Sequence, residues 1–289
     1  MPVPVKRMTA RMAVTVRLLP SFSAMIESSI AFIDSGIGGL PYLDWVKNRR
    51  PDLHFSYIAD SANFPYGELT PVAVKAAVVG AVERMLQIGV PRLLVVACNT
   101  ASVTALNEIR AVSPCPVVGT VPAVKPAAGL KVDGPIGILA TSGTVDSPYL
   151  DSLVSSFASD REVIRVAAGD IVRYVEERWL DEGDDGAVPV MERAVNTLKD
   201  SGVGSVVLGC THFLHLIKPI TNMIGSNIPL VDSRDGVGRR ILTLLDNRSD
   251  ISQSGISTGT FYVTDGGRSN DRYRRFAALH GLSWAGEIS

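Results

Sequence analysis

Five short apolar runs constrain this chain more than any other feature: Ile30 to Ile33, His54 to Ile58, Leu93 to Ala97, Ile136 to Ala140 and Ser205 to Leu208. Each has strand length and runs straight into small or polar residues. The runs are continuous rather than alternating, which is the pattern of sheets covered on both faces. Helical patterns separate them: Leu40 to Asn48, Val72 to Gly89 with Pro71 at its start, Thr100 to Val112, Ser147 to Phe157, Ile171 to Trp179 and Pro189 to Ser201. Strands alternating with helices predict an α/β fold with parallel sheets. Val117 to Gly119, Leu230 to Asp232 and Gly259 to Val263 read as further short strands, and Gly236 to Asp246 as a helix. Thr141 to Thr144 reads as a polar loop, and Asp181 to Gly186 as an acidic, solvated one.

The pattern repeats. IAFIDSG at Ile30 pairs with IGILATSG at Ile136, and VVACNTAS at Val95 with VVLGCTHF at Val206. The offsets are about 106 and about 112 residues, as expected of a duplicated unit with loop changes. The expected domains are 29–121 plus 232–289, a discontinuous first unit, and 122–231, the second. Residues 1–28 begin with a basic stretch that has no acidic residue before Glu27, and are expected to form a disordered extension.

The chemistry follows from the cysteines. The chain has 289 residues, a net charge of −1 and three cysteines, at 98, 115 and 210. No basic field argues for nucleic acid or an anionic membrane. The thiols form neither a disulfide framework nor a CxxC pair, so reduced thiols in a cytoplasm and no metal site are expected. Cys115, between two prolines, reads as structural. Gly36, Gly38 and Gly39 lack the full dinucleotide spacing, and Asp34 just before them would repel a phosphate. Cys98 and Cys210, by contrast, occupy one position in both units. Each follows a buried strand, beyond whose carboxyl end ligands of α/β sheets sit. Each also precedes polar residues that could open a helix, whose N-terminus lowers a thiol pKa and attracts a carboxylate. Two such thiols suit a proton donor and a proton acceptor on opposite faces of one carbon, which inverts a stereocentre. A cysteine hydrolase using His212 would leave one thiol unexplained, and a catalytically silent dicarboxylate-binding protein would not need both.

At these residues the chain resembles the cofactor-independent glutamate racemases of bacterial cell-wall synthesis. The resemblance is carried by Asp34-Ser35-Gly36-Ile37-Gly38-Gly39, Pro65-Tyr66-Gly67, Ala97-Cys98-Asn99-Thr100-Ala101-Ser102, Pro122-Ala123-Val124-Lys125, Ala140-Thr141-Ser142-Gly143-Thr144 and Leu208-Gly209-Cys210-Thr211-His212-Phe213, in order along the chain. It implies two pseudosymmetric α/β domains with the active site in the cleft between them. Cys98 and Cys210 are then the acid/base thiols, assisted by Asp34, His212 and a helical glutamate, Glu176 or its neighbour Glu177. Asp34, Ser35, Pro65, Tyr66, Gly67, Asn99, Thr100, Thr144, Thr211 and His212 form the implied substrate-binding set. Glutamate is the implied substrate, with aspartate or another amino acid the alternative within the family. Aspartate relatives more often carry histidine at the position of Ser102. No pyridoxal phosphate and no metal are implied, and homodimers are common. Leu214 departs from the family, where a proline commonly follows the aromatic residue.

Overall fold

The computed structural model describes residues 26–27, 29–246, 259–265 and 270–288. Ten strands are present among them: β1 (Ser29–Asp34), β2 (His54–Ala59), β3 (Leu93–Val96), β4 (Val117–Gly119), β5 (Ile136–Ala140), β6 (Val163–Ala167), β7 (Ser205–Leu208), β8 (Leu230–Val231), β9 (Gly259–Val263) and β10 (Ser283–Glu287). They form two sheets, ordered β10-β9-β2-β1-β3-β4 and β6-β5-β7-β8, and every pairing is parallel. The first four strands of each unit follow the same spatial order, second-first-third-fourth, so the repeat read from two short motifs is a repeat of topology. Each unit changes winding direction between its first and third strands, where α/β sheets bind ligands. In the first unit Asp34 ends β1 and Cys98 follows β3. Thr141 and Cys210 follow them in the second.

Parallel packing on both faces explains the continuous apolar runs. All six residues of β1 are buried. Ile30 and Phe32 join one core cluster while Ala31 and Ile33 join another, as the two-residue side-chain period requires. Leu93 and Val95 divide from Leu94 and Val96 in the same way. The first of these clusters continues through Leu139, Val206 and Leu208 of the second sheet, so the two units share packed apolar contacts. Two helix starts carry the signals read in the sequence. Thr70 and Ser147 cap Pro71–Ile88 and Pro148–Phe157, accepting from Ala73 N and Leu150 N, with proline at the first turn.

Several expectations are corrected. Thr141 to Thr144 is not a loop: Ser142–Val145 forms a helical turn. Asp181 to Gly186 lies within the helical segment Trp179–Asp200, which kinks at Gly183, where φ is 66°. Of the acidic residues there, Asp181 and Glu182 sit in the first helical turn, where negative charge is favourable. They also have partners: Glu182 pairs with Arg178, and Asp184 accepts from Trp179 Nε1. The helix expected over Ile171 to Trp179 is Gly169–Glu177. Strand β6 went unread because it is a half-buried edge strand with Arg165 at its centre. The helix Asn270–Leu279 and strand β10 were also unread. Residues 1–25 and 28 of the expected extension lie outside the described residues. Ile26, however, is fully buried in the core, and its carbonyl accepts from the Ser29 hydroxyl, so the packed chain begins before residue 29.

Candidate active site

The cleft is assembled from strand ends of both units. Asp34 ends β1 as a buried carboxylate. Its Oδ1 accepts from the Ser35 amide at 2.6 Å and its Oδ2 from the Thr211 hydroxyl of the other unit at 3.1 Å. Cys98 is the N-cap residue of Asn99–Val112, in extended conformation. Its thiol interacts with Asp34, and the Ala101 amide of the first helical turn faces its sulfur. Cys210 opens the short helix Thr211–Leu216, with its sulfur 3.9 Å from His212 Nδ1. The opposite ring nitrogen, His212 Nε2, lies 2.9 Å from Glu176 Oε2, which also accepts from the Ile37 amide of the first unit at 3.0 Å. Each thiol thus has its own companion: Asp34 for Cys98, and a His212–Glu176 pair for Cys210.

The glycines of the first loop make this contact possible. A Cβ at Gly36 would lie closer than 3.0 Å to the Glu176 carboxylate. One at Gly38 would collide with the His212 ring and the Thr211 hydroxyl. Glycine is required here for close approach between the units rather than for an unusual backbone angle. Glu176 is the glutamate that enters the site, 1% exposed, whereas the Glu177 side chain is 45% exposed and lies 3.9 Å from Arg173. Across the cleft, the Arg173 guanidinium donates twice to Glu68, at 2.9 and 2.5 Å, in a surface pair of small energetic weight.

The remaining expected residues divide by role. Asn99 is 2% exposed, and neither its side-chain oxygen nor its nitrogen has a hydrogen-bond partner. Unpaired buried amides are costly, and a polar ligand would satisfy this one. The hydroxyls of Thr100, Thr141 and Thr144 form a cluster across the units, at 3.0, 3.2 and 3.3 Å. Thr141 was not among the expected site residues, although it stands in one of the motifs. Gly67 packs directly on Thr141, so the loop holding Pro65, Tyr66 and Gly67 closes one wall. The Tyr66 hydroxyl does not point to an open site: it donates to Asp60. Ser102 also turns away, donating to the Val96 carbonyl and accepting from the Thr120 amide behind the helix. It therefore makes no direct reading of substrate length. Lys125 is exposed, with its ammonium over the Phe157 ring.

Electrostatics correct one sequence expectation. A helix N-terminus was expected to lower the thiol pKa values. Burial, reinforced by the neighbouring Asp34, instead pushes the Cys98 thiol well above its usual range, and the opposing Ala101 amide is outweighed. Burial likewise pushes the Asp34 carboxyl up, against the charge of His212 and the donors around it. At His212 burial opposes the charged form, yet Cys210 and Glu176 win and push its pKa up to about 10. Burial also opposes the charged form of Glu176, but His212 and the Ile37 amide hold its carboxyl below the usual range.

The His212 shift has a consequence for stability. Folded His212 keeps its proton up to about pH 10, whereas an unfolded histidine loses it near about 6.5. Between these values the native state binds more protons, so this contribution is full below about 6.5 and lost as pH rises through about 10. Urea midpoints of the wild type are expected to fall between pH 7 and 10.5 relative to those of His212→Asn. A parallel pH dependence of the two proteins would contradict the assignment.

Comparison with known proteins points one way. Residues 44–235 match the family described as Asp/Glu/Hydantoin racemase. The glutamate racemase of Sphingopyxis alaskensis is 39% identical over 227 residues, covering 77% of this chain and 84% of that protein. That of Treponema pallidum is 35% identical over 259 residues, covering 89% and 95%. The crystal structure of Escherichia coli glutamate racemase in complex with L-glutamate and the activator UDP-MurNAc-ala superposes with a TM-score of 0.82 at 30% identity. It covers 91% of this chain and 98% of that one.

Proposed function

The chain belongs to the Asp/Glu/Hydantoin racemase family, and from that premise we propose that it interconverts L- and D-glutamate by proton transfer at Cα. The observation that carries this reading is the pair of buried thiols at equivalent strand ends, each with a separate acid/base companion. One thiolate removes the Cα proton and the opposite thiol returns a proton from the other face. The reverse direction exchanges their roles.

The resting state fits this division. Cys98 is held protonated by burial and Asp34, so it is the ready donor. Its activation as a base requires a positive charge nearby, which the substrate ammonium brings. Cys210 lies 3.9 Å from the ring of His212, which keeps its proton up to about pH 10 and so sets a positive charge beside this sulfur. Because a Cα proton is weakly acidic, most of the help must come from fixed dipoles and charges around the developing carbanion. Asn99, Thr100, Thr141, Thr144 and Thr211 present polar groups to the substrate carboxylates from buried positions. Asp34 and His212 flank the position of the amino group. The proton-transfer groups are all side chains of the protein, which supports a reaction without pyridoxal phosphate or metal. The proposal extends to D-glutamate supply for peptidoglycan by a cytoplasmic homodimer. No helix among the described residues is long and apolar enough to cross a membrane.

The test is direct. When purified protein is incubated with L-glutamate in D₂O without added cofactor, the circular dichroism of the glutamate is expected to fall toward zero while deuterium appears at Cα. L-aspartate is expected to remain unchanged. A folded protein that leaves both signals of L-glutamate intact would overturn the reading.

A further inference from the structure

Asp60, fully buried just beyond β2, stands outside the acid/base set. Its carboxylate nevertheless gathers side chains from several segments. The Tyr66 hydroxyl donates to Oδ2 and the Thr264 hydroxyl to Oδ1, both at 2.5 Å. The Asn63 side-chain amide reaches both oxygens, at 3.2 and 3.0 Å, and the Arg84 guanidinium lies 3.6 Å from Oδ1. The Asp60 amide donates to the Asp34 carbonyl at 2.8 Å, which ties this cluster to the strand end beside it. A buried carboxylate is costly unless its lone pairs are satisfied, and here hydroxyls and an amide do most of that work.

Of these partners, Tyr66 leads to the cleft. Its ring is fully buried and belongs to the same packed core cluster as Cys98. The next residue, Gly67, rests on Thr141 of the opposite unit, which in turn meets Thr100. Packing alone would hold a phenyl ring in this position. The hydroxyl-to-carboxylate bond additionally fixes how deep the ring sits, and with it the height of the loop over the thiol.

We propose that Asp60 is a positioning residue: acting through Tyr66, it sets the Pro65–Gly67 wall against Cys98 and Thr141, and so sets substrate affinity rather than the rate of proton transfer. The effect on affinity rests on the racemase reading; the effect on the loop does not.

The test compares Asp60→Asn, Tyr66→Phe and the double variant, with Tyr66→Phe preserving the packed ring if Asp60→Asn folds poorly. Each single change is expected to raise KM for glutamate about tenfold, with kcat altered less than about threefold. The double variant is expected to match the singles rather than reach about a hundredfold, because both disrupt the same Tyr66–Asp60 bond that sets the loop. Hydrogen–deuterium exchange over residues 61–69 is expected to accelerate in both singles, with β3 unchanged. Unchanged exchange in folded singles, a wild-type KM, or a multiplicative double variant would each overturn the proposal. If the wild type does not racemise glutamate, the racemase reading falls, and the exchange measurement still decides whether Asp60 fixes the loop.

Discussion

Replacing either Cys98 or Cys210 with serine is expected to abolish racemisation in both directions, by roughly a thousandfold or more, the upper part of what general acid–base catalysis contributes. A serine hydroxyl fits the space of the thiol but is a far weaker acid, so it neither removes nor returns the proton efficiently. The losses should not be identical in kind. With one thiol left, a substrate proton can still be taken and returned on that thiol's own face. Each variant should therefore wash deuterium into Cα of one enantiomer with retention, and the two variants should act on opposite enantiomers. Cα exchange by NMR, run separately on L- and D-glutamate, reads this out. A wild-type racemisation rate in either variant would remove the two-thiol mechanism.

Glu176→Gln is expected to lower kcat by about a hundredfold, within the range of a lost acid–base assistant. Glutamine keeps the shape and still accepts from the Ile37 amide, so the loop contact survives. It supplies no charge. Glu176 is one of the groups that lift His212 to about 10, and burial pulls the other way. Without the carboxylate, His212 should lose its proton at lower pH, and Cys210 loses a positive neighbour. The alkaline limb of the pH–rate profile should then move downward. Removing one partner of a buried pair is also costly in stability, by about 3–5 kcal/mol where the other charge cannot neutralise. Here histidine can, which moderates that cost. Glu177→Gln, on the exposed side of the same helix, should leave kcat within about twofold, as surface charges usually do. The opposite ranking of the two variants would reverse the assignment.

The adjacent glutamates illustrate what the sequence carried. On the helix Gly169–Glu177, the residues Val172, Val175 and Glu176 are buried together, and their spacing of three and four places them on one face. A carboxylate in an otherwise apolar stripe marks Glu176, but the sequence reading reaches it only through the family resemblance and leaves Glu177 open. The thiol pair was legible directly, since both cysteines end continuous apolar runs at matching positions. The Asp60 cluster was not: it joins Tyr66 and Arg84 to Thr264, about two hundred residues away, and no local spacing encodes such a contact. The pKa of Cys98 was misjudged because helix position is visible in sequence while depth of burial is not. Strand β6 was missed because an edge strand that faces solvent carries a mixed pattern.

The sheet order has a consequence for how the protein is made. Strand β9 pairs with β2, and β10 with β9, so the first sheet is completed by residues synthesised after the whole of the second unit. During translation the second unit emerges as one uninterrupted stretch and can close on itself. The first unit waits with the β2 edge unpaired and Asp60 lacking its Thr264 donor. An open strand edge invites pairing with other chains. Ribosome-bound or prematurely terminated products ending before β9 therefore hold both thiols and every motif of the cleft, yet lack the strand that seals the sheet beneath them.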